Sequence, residues 1–166
     1  MIRLARPEDL PAVALVEASA ATVFTDTHMA FAANDPPNDP ADLLAAIATD
    51  LMWVATDGNV IAGFVFAEPC ATGLYVRELS VAAPFQQRGH GAALMATGIA
   101  AARARGAASL LLTTDRTLAW NAPFYRRLGF VIVEGDAIPA EAQRRLERQI
   151  AAGFDPEQRC AMVMAL

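Results

Sequence analysis

The stretch Glu78-Leu79-Ser80-Val81-Ala82-Ala83-Pro84-Phe85-Gln86-Gln87-Arg88-Gly89-His90-Gly91-Ala92 decides how this chain folds. Tyr75 to Val81 reads as a strand and Pro84 to Gly91 as a loop. Ala92 to Arg105 then places Leu94, Met95, Ile99 and Ala102 within one arc, as a helix lying on a sheet would, and Gly106 suits its cap. Ser109 to Thr114 follows as a buried, leucine-rich strand. The unit is strand, loop, helix, strand. Gln86 to Ala92 sits where backbone N–H groups and a positive helix end converge, a geometry suited to an anion such as a pyrophosphate. Gly89 and Gly91 allow close approach of phosphate oxygens, and Arg88 adds a mobile positive charge. Two glycines at this spacing equally fit a loop that merely enters a helix. They do not make a dinucleotide fingerprint, which needs a third glycine and an acidic residue about 20 positions on.

Working outward, Ile2 to Arg6 alternates as a strand and Pro7-Glu8-Asp9 starts a helix, with Leu10, Val13, Ala14, Ala21 and Phe24 on one face. Asn34 to Pro40 is too dense in turn residues to stay helical, and a second helix restarts over Ala41 to Thr49. Leu51 to Thr56 and Val60 to Glu68 flank Asp57-Gly58-Asn59 as a hairpin. Downstream, Asn121 to Leu128 is a short helix closed by Gly129, Phe130 to Glu134 a strand, Pro139 to Ala152 an arginine-rich amphipathic helix, and Arg159 to Leu166 a closing strand. The expectation is one α/β domain spanning residues 1–166.

Composition narrows the chemistry. With 166 residues, 55% of them apolar, the chain can bury a full core. Its longest nearly apolar run, Gly91 to Ala102, falls short of the roughly 20 residues a membrane span needs, and the N-terminus does not read as a secretory signal, so a cytoplasmic location is expected. All 13 basic residues are arginine, which excludes a Schiff-base lysine, a pyridoxal phosphate enzyme and a conventional P-loop. A net charge of -5 argues against nucleic acid as a partner. Two isolated cysteines, Cys70 and Cys160, read as buried thiols, and no metal site is expected.

Gln86, Gly89 and Gly91 match the Q/R-x-x-G-x-G/A motif of the GNAT superfamily of N-acyltransferases, which this chain resembles. Glu78-Leu79-Ser80-Val81 looks like that family's central strand, and Asn121-Ala122-Pro123-Phe124-Tyr125-Arg126-Arg127-Leu128-Gly129-Phe130 resembles its helix with the Y-x-x-x-G-F ending. Two motifs in the family's order are far more specific than either alone. The resemblance implies a mixed, mostly antiparallel sheet flanked by helices, with a splayed parallel strand pair made by Tyr75 to Val81 and Ser109 to Thr114. It departs in the short spacing from Asn121 to Tyr125 and in the added helix from Pro139 to Ala152.

What the resemblance implies chemically is transfer of an acetyl group from acetyl-CoA to an amine by direct attack in a ternary complex. Leu79 and Val81, with Ser80 between them, would present backbone groups to pantetheine and the thioester oxygen, where donors matter most as charge develops. Gln86, Gln87, Arg88, Gly89, His90, Gly91 and Ala92 would hold the pyrophosphate. Glu78 is the candidate base, directly or through water, since alternation puts it on one face with Val76 and Ser80. The competing reading is a surface glutamate paired with an arginine such as Arg77. Tyr125 is the candidate acid toward the departing thiolate, because a phenol of ordinary pKa, about 10, is protonated at neutral pH. Asn121 reads either as a cofactor contact or as a helix N-cap. Glu17 interrupts the apolar face of the first helix, and the expected acceptor is a small-molecule amine or a peptide amine, with room for a homodimer. The alternatives from other classes are a noncatalytic acyl-CoA-binding regulatory module and a nucleotide-binding interaction domain.

Overall fold

A computed structural model describes all of residues 1–166. Its strands are β1 (Ile2–Leu4), β2 (Met52–Asp57), β3 (Val60–Cys70), β4 (Gly73–Val81), β5 (Ser109–Asp115), β6 (Val131–Val133) and β7 (Arg159–Ala165), and its helices α1 (Leu10–Ala21), α2 (Pro40–Ala48), α3 (His90–Ala104), α4 (Ala122–Arg127) and α5 (Ala140–Ala151). The seven strands lie in the order β1-β2-β3-β4-β5-β7-β6. The pairs β1–β2, β2–β3, β5–β7 and β6–β7 are antiparallel, while Gly73–Tyr75 of β4 runs parallel to Ser109–Leu111 of β5. This is the mixed sheet expected for the family resembled. The chain divides into two compact units, Met1–Glu68 with Val76–Ala101, and Pro69–Tyr75 with Ala102–Leu166.

In the first unit, Val13 and Val16 of α1 and Leu43 and Ala46 of α2 pack with Met52, Val54, Phe64 and Phe66 of β2 and β3. Ala14, expected on the inner face of α1, is exposed, because the buried arc centres on Val13 and Val16 and Ala14 lies about 100° round the helix from Val13, on the side away from Val16. The Asp39 side chain caps α2 by accepting from the Ala41 N–H at 2.8 Å. Gly63 of β3 lets the layers approach: a Cβ there would stand 2.7 Å from the Ser80 carbonyl oxygen and 3.3 Å from Leu94 of α3. Leu94, Met95, Ile99 and Ala102 are all buried, as their shared arc predicts.

In the second unit, α5 lays Ala142 and Leu146 against Ala161 of β7, with Val133 and Ile138 alongside. Its polar side is tied down as well. Gln149 donates to Thr113 Oγ1 at 3.0 Å and accepts from Arg159 Nη2 at 2.9 Å, while Thr113 is 2.6 Å from the Tyr75 hydroxyl. Arg145 of α5 stands over the Tyr75 ring at 4.7 Å and bonds Glu141 at 3.0 Å. The helix added relative to the family pattern is therefore a cover for β5 and β7 that also fixes the start of β4.

Candidate active site

β4 carries the first set of candidate residues. Pleating puts Glu78 and Ser80 on one face, and Ser80 Oγ donates to Glu78 Oε1 at 2.6 Å. Glu78 Oε2 accepts from Asn38 Nδ2 at 2.5 Å. Arg77 is not the partner of Glu78: pointing to the other face, it holds Glu68 at 2.7 Å and Asp42 at 3.0 Å. The residue keeps some exposure, yet its carboxyl is set among protein atoms, and this burial pushes Glu78 above the usual carboxylate range. Bonds from Ser80 and Asn38 pull the other way, the charge of Glu17 pushes up again, and Arg77 pulls slightly down. The outcome is a carboxyl with fixed orientation and raised proton affinity.

The turn after β4 is built for its shape. Gln86 Nε2 donates to the Val81 carbonyl at 3.0 Å and so braces the loop on the strand it leaves. Gln87 and Gly89 both have positive φ, 61° and 84°, separated by Arg88. Such alternation turns successive N–H groups to one side, as in anion-binding nests. α3 then begins at His90, two residues earlier than its apolar pattern suggests, so the N–H groups of His90, Gly91 and Ala92 belong to a first turn that has no intrahelical acceptors. Ala93 is the first to bond back, to the Gly89 carbonyl at 3.0 Å. Nothing lies within 4 Å of a Cβ built on Gly89, so its glycine serves the positive φ and not a tight contact.

Arg88 leans over the Phe85 ring at 5.5 Å and pairs with Asp57 at 3.5 Å. Both partners are about half exposed, and such pairs contribute about 0–1 kcal/mol, so Arg88 can leave Asp57 for a stronger anion. His90 opens the helix, packs edge-on against Phe85 and lies 4.0 Å from Asp57. The positive helix end, the nest and the mobile Arg88 together fit a pyrophosphate.

A sequence profile described as an acetyltransferase (GNAT) domain matches residues 48–132, just over half of the chain, and includes β4, the turn and α4. The chain belongs to the GNAT acetyltransferase family. Its fold is shared by the PaiA N-acetyltransferase of Thermoplasma acidophilum in complex with coenzyme A, at 14% identity and a TM-score of 0.74, covering 100% of this chain and 98% of that one. It is shared by a ribosomal-protein-alanine N-acetyltransferase of Brucella melitensis, at 19% identity, a TM-score of 0.71 and coverage of 100% and 99%. N-acetylglutamate synthase of Neisseria gonorrhoeae, complexed with coenzyme A and N-acetyl-glutamate, matches at 19% identity and a TM-score of 0.72, where this chain covers 35% of the longer protein.

In this GNAT acetyltransferase the second motif forms α4. Tyr125 is buried there, its ring edge-on to Phe124 at 5.1 Å and to Phe130 at 5.8 Å, while the Phe130 N–H bonds the Tyr125 carbonyl at 3.1 Å across Gly129, whose φ is 102°. Asn121 occupies the N-cap position, but its side chain makes no capping bond; its carbonyl accepts the Tyr125 N–H at 3.1 Å. Trp53 is buried in β2, whereas Trp120 is 43% exposed. Cys160 is buried and its thiol pushed up by that burial, but Cys70 is only partly covered. A cavity of about 670 Å³ lies by Arg3, Ser19, Thr56 and Phe85, and none of the candidate catalytic or cofactor residues lines it. No group of three His, Cys, Asp or Glu side chains is arranged to hold a metal ion, and no helix is long and apolar enough to cross a membrane.

Sequence reasoning missed Asn38. In a segment reading Asn34-Asp35-Pro36-Pro37-Asn38-Asp39-Pro40, an asparagine reads as turn chemistry. Nothing in the local pattern signals a bond to a carboxylate 40 positions away. Glu17 did carry a signal, a carboxylate breaking an apolar helix face, and the structure gives it Asn38 as a partner.

Proposed function

We propose that residues 1–166 act as one acyl-CoA N-acyltransferase domain that passes an acetyl group from acetyl-CoA to an amine by direct attack in a ternary complex. The observation that carries this reading is the turn itself, where positive φ at Gln87 and Gly89 opens the N-terminus of a 15-residue helix immediately after the strand that bears Glu78. Acetyl-CoA, when bound, supplies an activated thioester. The chain's own groups supply the rest. The N–H groups of Gln87 to Ala92 and the Arg88 guanidinium hold the pyrophosphate, and the backbone of Leu79, Ser80 and Val81 orients the pantetheine arm and the carbonyl to be attacked. Since Gln86 already takes the Val81 carbonyl, it also fixes that part of the strand.

Glu78 accepts the proton of the incoming amine. Its raised proton affinity suits the task, because a base works best when its pKa approaches the operating pH. Tyr125 keeps its phenol proton for the thiolate that leaves, and Asn121 sits at the start of the same helix. The neighbours named for ribosomal-protein alanine and for N-acetylglutamate support an amine as acceptor, a small molecule or a peptide amine.

The test is thiol release from acetyl-CoA across amines, amino acids, polyamines and peptides, with Tyr125→Phe beside the parent. We expect amine-dependent release with intersecting initial-rate lines, and a Tyr125→Phe variant that binds coenzyme A normally while turning over about 10-fold or more slower. Saturable binding without turnover for any acceptor supports the regulatory-module reading instead, and undiminished Tyr125→Phe turnover removes that residue from proton transfer.

A further inference from the structure

Asn38 joins two carboxylates through one amide. Its backbone N–H and its Nδ2 both donate to Glu17 Oε1, at 3.0 and 2.5 Å, and the same Nδ2 donates to Glu78 Oε2 at 2.5 Å. An NH₂ group has two hydrogens, so one goes to each carboxylate. Glu17 stands on α1 and anchors the turn-dense segment that bears Asn38, and Asn38 in turn reaches β4. The other charged group near Glu78 is Arg77, whose guanidinium is committed to Glu68 and Asp42. Ser80 occupies the remaining Glu78 oxygen.

The choice of amide is chemically specific. A lysine here would neutralise Glu78 by ion pairing, and an aspartate would add a third negative charge and accept where a donor is needed. An amide donates to both carboxylates and carries no charge. We propose that Asn38, held in place by Glu17, is a positioning residue for Glu78, fixing the orientation of its carboxylate and stabilising its ionised form. This rests on the reading of Glu78 as the base. Glu17 has two opposed effects: it aligns the donor that favours ionised Glu78, and its own charge disfavours it.

Those opposed effects give the experiment its power. In protein labelled with ¹³C-carboxyl glutamate, the Glu78 resonance, assigned by its loss in Glu78→Gln, is titrated in the parent, in Asn38→Ala and in Glu17→Gln, and the acid limb of kcat/KM is recorded for each. Asn38→Ala removes a donor and should move the Glu78 midpoint up by about 1 unit. Glu17→Gln keeps the acceptor oxygen but removes the charge, and should move it down. The acid limb should follow in both, with KM for acetyl-CoA unchanged. An unmoved Glu78 midpoint in Asn38→Ala, or shifts of the same sign in both variants, overturns the proposal. Should Asn38→Ala fold poorly, Asn38→Leu, which keeps the volume and loses the donor, decides by the same upward shift. Opposite NMR shifts with an unmoved acid limb would uphold the positioning role and remove Glu78 as the base, so the two readings fail separately.

Discussion

Replacing Gly89 by alanine isolates what the phosphate turn owes to backbone conformation. Gly89 has a φ of 84°, and an added Cβ meets no atom within 4 Å, so the substitution introduces no collision and its whole effect is torsional. An L-residue held in the left-handed region costs about 1–2 kcal/mol. If binding of coenzyme A forces the turn to keep its shape, that strain appears as a loss of affinity of roughly 5–30-fold. If the free protein already keeps the shape, the same energy appears as lost stability, a fall in Tm of about 2–8 °C for a chain of this size. Calorimetric titration with coenzyme A and thermal unfolding of the same preparation therefore share out a known sum. Gln87 supplies the control, since it already pays for a φ of 61°. Gln87→Gly relieves strain but adds about 0.5–1 kcal/mol of unfolded-chain freedom, so it should be close to neutral. A Gly89→Ala protein as stable as the parent and equal to it in affinity would refute the view that glycine is there for its positive φ.

Three further substitutions test other parts of the account. Gly73→Ala should cost about 3 kcal/mol or more, because φ is 153° and the new Cβ would lie 2.0 Å from the Ser109 carbonyl oxygen across the parallel β4–β5 pair; a denaturation midpoint near the parent's would contradict that register. Gly98→Ala, in the middle of α3 with open space around its Cβ, should stabilise by about 0.5–1 kcal/mol, seen as a Tm raised by about 1–4 °C. Glu78→Gln should raise stability at neutral pH while lowering turnover. Its folded pKa lies above the unfolded one, so the native state binds that proton more tightly; the benefit is present below the unfolded pKa and is lost as pH rises through the folded one. A variant that removes the ionisation should therefore gain on the parent only on the alkaline side of that window, and a gain confined to acid pH would contradict the raised pKa.

The elements that the sequence displayed most clearly were those with a strong period or a glycine stop. The arc of Leu94, Met95, Ile99 and Ala102 identified α3, and Gly129 marked the end of α4. Boundaries slipped where capping competes with pattern: α3 begins at His90 because the nest, not the apolar arc, sets its first turn. The inner face of α1 was misjudged at Ala14 because alanine fits either side of a helix, and the arc that meets the sheet centres on Val13 and Val16. Strand alternation correctly joined Glu78 to Ser80, and it could equally have shown that Arg77 points away from both. The bond from Asn38 was beyond reach, since local pattern describes a residue's neighbours in the chain and says little of what a loop meets when it folds back. The proline-rich composition of that loop announced a turn and concealed a donor.

Transfer of acetyl from thioester to nitrogen can be followed atom by atom by supplying ¹³C-acetyl-CoA with an acceptor library and reading each product by mass and NMR. We expect one acetyl group gained per thiol released, carried on nitrogen as an amide that resists hydroxylamine, and lost when Glu78 is replaced by Gln. Thiol release that does not depend on an acceptor, or an acetyl group found on oxygen, would contradict it.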